Sequence, residues 1–511
     1  MQCIARRGGP AWLTFMFLLL FMVACGGPGS VVSRPSAPTP RPTPAYTLLR
    51  GGACVHLGPH PQPPFANVRV SQDSYLAHSE PMLAENPRNP LNLVGGSKFF
   101  TDPRHYRFQI GFYSSFDGGC TWQDGGILPG FSTQETTSDI TFAFGLHNDF
   151  YALVLNTASV ANAAESGVSV LVSRDGGRTF GQPVLVFDDL SGRTFSDKPW
   201  LAVDTTGGPH SGNIYVVWSY DHGGFCGDGN FCRQDLAFAR SSDGGKHFTP
   251  ARFVEGHASF CTNPTTGRSP HDTTCDGVLG ATPTVLPDGT LAVAFQYMDV
   301  MSGDIPTRLA VVTSPDGGAT WTSPVLIATI HDVAGYFPPD RYRNDSLPAF
   351  ACDPRTGQLY IAWSDKGPVD ADILFSTSTD HGRTWTPFPI RVNDDPSDDG
   401  ANQFQPQLAV APDGVVSISF FDTRQDLHHR LIDVYLAQSI DYGNSFLPNV
   451  RVTTQSWNPT VGAPVDEFGS LFIGDYQGLT ADNAFVHPFW NDTRTGRQEI
   501  FTAAIPGAQP G

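Results

Sequence analysis

Basic residues are scarce in this chain. It has 31 Lys and Arg against 49 Asp and Glu, a net charge of −18 at pH 7. Gripping a phosphate backbone takes clustered cations, so nucleic acid is not an expected partner. Cysteine is also sparse, with nine copies and no CxxC pair, which argues against metal ligation by thiolates. Beyond the first residues no apolar run is long enough to cross a membrane. Glycine (53) and phenylalanine (36) are plentiful instead, a composition suited to aromatic-filled sheets joined by tight turns.

One short stretch occurs six times. Its first copy is Ser115-Phe116-Asp117-Gly118-Gly119-Cys120-Thr121-Trp122, and the shared pattern is Ser-x-Asp-x-Gly-x-x-Trp/Phe. The Asp residues fall at 117, 175, 243, 316, 380 and 441, in steps of 58, 68, 73, 64 and 61. Asp followed by Gly between apolar runs predicts a hairpin turn, because Asp bonds nearby backbone and Gly accepts positive φ. The Ser hydroxyl and Asp carboxylate can satisfy the turn's free N–H groups. One such turn per unit at a steady period is the mark of radial repetition in an all-β protein.

The pattern resembles the Asp-box, or bacterial neuraminidase repeat, of sialidases and other propellers. The resemblance implies that the boxes join third to fourth strands on the face away from the active site, as scaffold. It speaks for a fold more than for a reaction.

Each box follows a block with an apolar first strand and a β-rich second strand. Glu80-Pro81-Met82, Lys198-Pro199-Trp200, Leu347-Pro348-Ala349 and Gln405-Pro406-Gln407 share one frame. Asp139-Ile140-Thr141 and Ala281-Thr282-Pro283 open weaker copies. A seventh block runs from Gly474 without a box. Its missing fourth strand is expected at the other end, since Phe65-Ala66-Asn67-Val68-Arg69-Val70 echoes Leu447-Pro448-Asn449-Val450-Arg451-Val452. The expected fold is an all-β, seven-bladed β-propeller whose last blade is closed by the N-terminal strand. The alternative is a six-bladed, sialidase-type propeller.

The start reads as an address. Arg6 and Arg7 precede an apolar run, and Met22-Val23-Ala24-Cys25 looks like a bacterial lipobox. Residues 1–25 are then a lipoprotein signal peptide with Cys25 lipidated, 26–46 a Pro-rich linker and 47–511 one propeller domain. The expected location is outside the cytoplasm, at the cell surface or in the periplasm, with a lipid anchor as the one membrane contact. An oxidising compartment favours local disulfides Cys226–Cys232 and Cys261–Cys275. Cys54 and Cys120 could pair if the chain ends meet, leaving Cys352 as a core residue.

The face opposite the boxes carries repeated carboxylates. First-strand entries contain Glu80, Asp139, Asp197, Asp345 and Asp475, and second strands end in Asp221, Asp299, Asp365, Asp422 and Asp492. Asp345, Asp422, Asp475 and Asp492 could gather Ca²⁺, a hard ion that prefers oxygen. Each could equally cap a turn. Arg343, Arg424 and Arg494 could converge from three consecutive blades to grip a carboxylate. Each could equally pair with a neighbouring Asp. Sialidases use such an arginine triad, with a Tyr nucleophile paired to Glu and an Asp acid/base. By that resemblance Tyr476 is the candidate nucleophile and Asp139 or Asp197 the acid. The Arg-Ile-Pro string that supplies one sialidase arginine is absent, with Asp304-Ile305-Pro306 in its place. Two functions are expected: a sialidase-like propeller that binds glycans and could hydrolyse them, or a non-catalytic, monomeric interaction scaffold stiffened by Ca²⁺.

Overall fold

A computed structural model describes residues 65–509, except 133–134, 158–165, 190–193, 226–230, 262–271, 299–306, 334, 337–341 and 467–468. The signal, the linker, Cys25, Cys54 and the Cys226–Cys232 pairing lie outside the described residues.

Among the described residues seven antiparallel blade sheets follow one another along the chain, with a two-stranded sheet of Gly335–Tyr336 and Arg343–Asn344 between the fourth and fifth. Six have four strands in sequence order, starting at His78–Glu85, Thr136–Phe144, Phe195–Val203, Val278–Val285, Ala349–Cys352 and Gln403–Val410. The seventh orders Gly478–Ala481, Phe485–Asp492 and Glu499–Thr502, and its outer strand is Val68–Arg69 from the N-terminal end. Val68 lies opposite Thr502 and Arg69 opposite Phe501. The propeller is therefore seven-bladed and closed by its N-terminal strand, and six blades are excluded. Closure removes the open sheet edge that the last blade would otherwise present.

The core lies between consecutive sheets. Tyr215, Val217, Leu236 and Phe238 of the third sheet, for example, share one cluster with Leu291, Val293 and Phe295 of the fourth. Strands so covered on both faces read as near-continuous apolar runs.

All six Ser-x-Asp turns link third to fourth strands. In the first, Ser115 Oγ donates to Asp117 Oδ1 (2.9 Å) and accepts from Gly119 N (2.9 Å). Asp117 Oδ1 accepts from Thr121 N (2.9 Å) and Oδ2 from the Thr121 hydroxyl (2.6 Å). Trp122 Nε1 folds back onto the Gly119 carbonyl at 2.9 Å. Because third and first strands run the same way, these turns lie on the face opposite the first-strand entries.

Cys261 and Cys275 form the expected disulfide, and Cys120 is disulfide-bonded. Cys352 is free and half-buried, its thiol donating to Val285 O at 3.2 Å.

Candidate functional site at the propeller axis

Five first strands break register at the same place: Ser79/Met82, Ser138/Thr141, Asp197/Trp200, Leu279/Thr282 and Phe404/Gln407. Each break holds one residue with left-handed backbone. These are Glu80 (φ 51°), Asp139 (49°), Lys198 (47°), Gly280 (63°) and Gln405 (49°). Such a bulge favours Gly, as in the fourth blade. Four blades instead carry a charged or amide side chain there, at a cost of about 1–3 kcal/mol per strained residue.

The side chains of three of these residues, Glu80, Asp139 and Lys198, meet. Lys198 Nζ lies 2.6 Å from Asp475 Oδ2, 3.8 Å from Glu80 Oε1 and 3.9 Å from Asp139 Oδ1. Lys98, from the second strand of the first blade, reaches Glu80 Oε2 at 2.5 Å and Asp139 Oδ1 at 3.7 Å. The Tyr476 hydroxyl donates to Asp139 Oδ1 at 3.4 Å. Arg343 holds Asp475 with both arms, Nε to Oδ1 at 2.9 Å and Nη2 to Oδ2 at 2.7 Å. Two long connections bring Arg343 there. It sits on the short strand Arg343–Asn344, and its backbone N–H donates to Leu471 O (3.2 Å) from the loop that enters the last blade.

Burial and charge push these groups apart. Burial raises the Glu80 carboxyl more than Lys98 and Lys198 lower it, pushing it up to about 7, so it titrates near neutrality. Asp139 feels the same burial, but Lys198 and Lys98 outweigh it and keep the carboxylate ionised. Asp475 stays ionised because Arg343 and Lys198 outweigh its burial. Burial pushes Asp197 up to about 6 and Asp345 up to about 7. Tyr476 is raised well above the ordinary phenol range, by burial and then by Glu80, Asp139, Asp475 and Asp197. Neighbouring carboxyls with opposed protonation are the physical requirement for acid–base work.

Over this cluster opens a hollow of about 480 Å³, mouth included, lined by Asp139, Lys198, Trp200, Gln405, Asp475 and Tyr476 among others.

No family model and no curated protein matches the chain. Among solved structures it is similar to a Dyadobacter fermentans protein of unknown function, with 14% identity and a TM-score of 0.47 over 75% of this chain and 97% of that one. It is also similar to a Hadza microbial sialidase, with 15% identity and a TM-score of 0.42 over 79% and 74%. An α-L-arabinofuranosidase of Fusarium graminearum gives 14% identity and a TM-score of 0.43 over 73% and 97%. At these distances the reading of the site rests on its own geometry.

Of the residues singled out in the sequence, Tyr476, Asp139, Asp475 and Arg343 lie in the axial cluster. Asp197 adjoins Lys198, and its carboxyl accepts from Lys198 N at 3.0 Å. The three arginines do not converge. Arg424 is held by Asp422 (2.7 Å), Asp394 (2.5 Å) and Asp395 (3.3 Å). Arg494 is held by Asp492 (2.5 Å) and by Asn67 Oδ1 (2.8 Å). The expected calcium set of Asp345, Asp422, Asp475 and Asp492 is likewise not assembled. Three of the four are neutralised by an arginine, and no group of His, Cys, Asp and Glu among the described residues is arranged to hold a metal ion.

Lys98, Lys198 and Gln405 were not foreseen as site residues. The trace of two of them was in the shared frame, where Glu80, Lys198 and Gln405 each stand just before its proline.

Proposed function

We propose that this chain is a glycoside hydrolase of sialidase-like type, working at the propeller axis on glycans outside the cytoplasm. The observation that carries the reading is the Tyr476 hydroxyl set on an ionised Asp139, beside carboxyls that burial pushes up toward neutrality. In this reading Tyr476 Oη attacks the anomeric carbon and its proton passes to Asp139. The glycosidic C–O bond breaks, and the leaving oxygen takes a proton from Asp197, whose carboxyl is pushed up to about 6. Water then attacks the anomeric carbon and yields its proton to Asp197. Tyr476 leaves and recovers its own proton from Asp139. Lys198 and Lys98 hold Asp139 ionised between turnovers. The lipobox ending at Cys25 supports export and anchoring of the monomer at a membrane surface.

The test is hydrolysis of a panel of fluorogenic glycosides, sialosides included, by the folded protein and by Asp139→Asn and Tyr476→Phe. A loss of at least 100-fold in kcat in both variants is expected. Turnover unchanged in either variant removes its residue from the chemistry.

The second reading is a non-catalytic glycan-binding scaffold. It is favoured by the high resting pKa of Tyr476, which keeps the phenol neutral. In that case glycans bind and no panel member is cleaved.

A further inference from the structure

The axial pocket has two unlike halves. On one side stand Asp475, Asp139 and Lys198, from the seventh, second and third blades. On the other, at the equivalent entries of the fourth and fifth blades, stand Gly280, Leu347 and Pro348, with Trp200 beside them. The cations of the charged half are all engaged. Lys98, Lys198 and Arg343 each lie within 2.5 to 2.7 Å of a carboxyl oxygen, and the Arg343 guanidinium also lies 4.6 Å over the Phe472 ring. Arg424 and Arg494, the other candidate grips, are clamped by their own blades.

A ligand carboxylate entering here would meet the ionised Asp139 and Asp475 and no uncommitted cation among these five. It would lose its hydration and gain repulsion, since removing one partner of a buried ion pair leaves a charge uncompensated. Hydroxyl groups face a different prospect. Thr141 Oγ1 and Gln405 Oε1 both belong to pocket-lining residues, both are buried, and neither has a hydrogen-bond partner among the described residues, so a turn of either side chain toward the hollow offers it to a ligand. Thr141 is 1% exposed and Gln405 2%. Buried polar atoms of this kind are ordinarily satisfied, so each is suited to a ligand group. The hollow itself is narrow, with room for roughly two waters. A sugar ring therefore rests in the mouth beside Trp200, and only its substituents reach the floor.

We infer that the sugar taken at the axis is uncharged, a neutral pyranose or furanose whose hydroxyls reach Thr141 and Gln405, and not a carboxylated sugar. The inference rests on the glycoside reading and narrows it. It makes Thr141 and Gln405 specificity-determining residues, because a site built to bond a hydroxyl loses much of its affinity when the bond is missing.

The test uses matched 4-methylumbelliferyl glycosides that differ only at C6, glucoside with glucuronide and galactoside with galacturonide, together with an α-sialoside. Turnover and saturation-transfer NMR are both read. The neutral member of a pair is expected to be preferred at least tenfold in kcat/KM or in Kd. Thr141→Val, nearly isosteric, and Gln405→Gly, which suits the left-handed backbone, are each expected to lower that preference about tenfold with the fold intact by circular dichroism. A preference for a glucuronide, galacturonide or sialoside overturns the inference and leaves the glycoside reading standing. Absence of binding and turnover for every sugar, by folded protein and on a broad glycan array, overturns both.

Discussion

Gln405 shows what the axis demands of single residues. Its φ of 49° is one that Gly280 adopts freely at the same place in the fourth blade. Its side-chain Nε2 donates to Gly474 O at 2.6 Å, and its backbone carbonyl accepts from Gln477 Nε2 at 2.9 Å. Two truncations separate backbone from side chain, because both delete the amide and only one keeps a Cβ. Gln405→Ala is expected to be less stable than Gln405→Gly by about 1–2 kcal/mol, the left-handed penalty of an L-residue. Equal urea midpoints for the two would show that the bulge relaxes without cost. The same logic explains what was legible here. Tyr476 and Asp139 were readable because hydroxyl and carboxylate stood at strand entries. Lys198 was not, because the proline after it announced a strand head and drew the eye from the residue before it. The repeated Asp-Thr-Arg of 422–424 and 492–494 was visible but misleading. It recurs because two blades share a clamp, with each arginine also bonded to the asparagine before the fourth strand, Asn449 or Asn67.

At the scale of the element, the six Ser-x-Asp turns were the most legible feature, since their hydrogen bonds are local and need no partner from elsewhere in the chain. Asp316 is representative. The Thr320 hydroxyl, then the Thr320 backbone and Ser314, hold its carboxyl down at about 2, below its ordinary 3.8. A carboxylate depressed on folding adds stability above its unfolded pKa and loses it as pH falls through the folded one. Asp316→Asn is therefore expected to cost about 1 kcal/mol at pH 7, the size of an ordinary hydrogen bond. The gap should close as pH falls from 4 toward 2. Urea denaturation at pH 7, 4 and 2.5 reads it, and a gap constant across that range would show that the charge of Asp316 contributes nothing. The site-face connections were far less legible. Arg343 reaches Asp475 across 132 residues of sequence, through two loops whose pairing no local pattern announces.

The whole molecule turns on how the ring is shut. Asn67 and Asn449 occupy the same place, just before the fourth strands of the seventh and sixth blades, Val68–Arg69 and Val450–Arg451, which is why their flanking sequences echo one another. Asn67 Nδ2 donates to Val452 O (2.9 Å), while its Oδ1 accepts from Thr454 N (2.9 Å) and Arg494 Nη1 (2.8 Å). Asn449 Nδ2 donates to Val392 O (3.1 Å), while its Oδ1 accepts from Asp394 N (3.0 Å) and Arg424 Nη2 (3.3 Å). These three contacts match, but the topology differs. Asn449 precedes a strand whose sheet is continuous in sequence, so losing its bonds loosens a seam that the chain still crosses. Asn67 immediately precedes the strand that closes the circle, where the outer edge of Glu499–Thr502 is held by the pairing of Val68 and Arg69 and by bonds of Ile500 with Val70 N (2.7 Å) and Ser71 Oγ (2.9 Å). Asn67→Ala removes five bonds, the Phe65 carbonyl (3.4 Å) and the Thr454 hydroxyl (3.2 Å) included, and Asn449→Ala removes three; each should cost about 1–3 kcal/mol. Only Asn67→Ala should also free the outer edge of the last blade. Amides of residues 499–502 are then expected to exchange with solvent at least tenfold faster in Asn67→Ala than in Asn449→Ala, while the buried strand Leu291–Tyr297 keeps its protection in both. Equal exchange at 499–502 in the two variants would mean that packing between blades, and not the closing strand, keeps the ring shut.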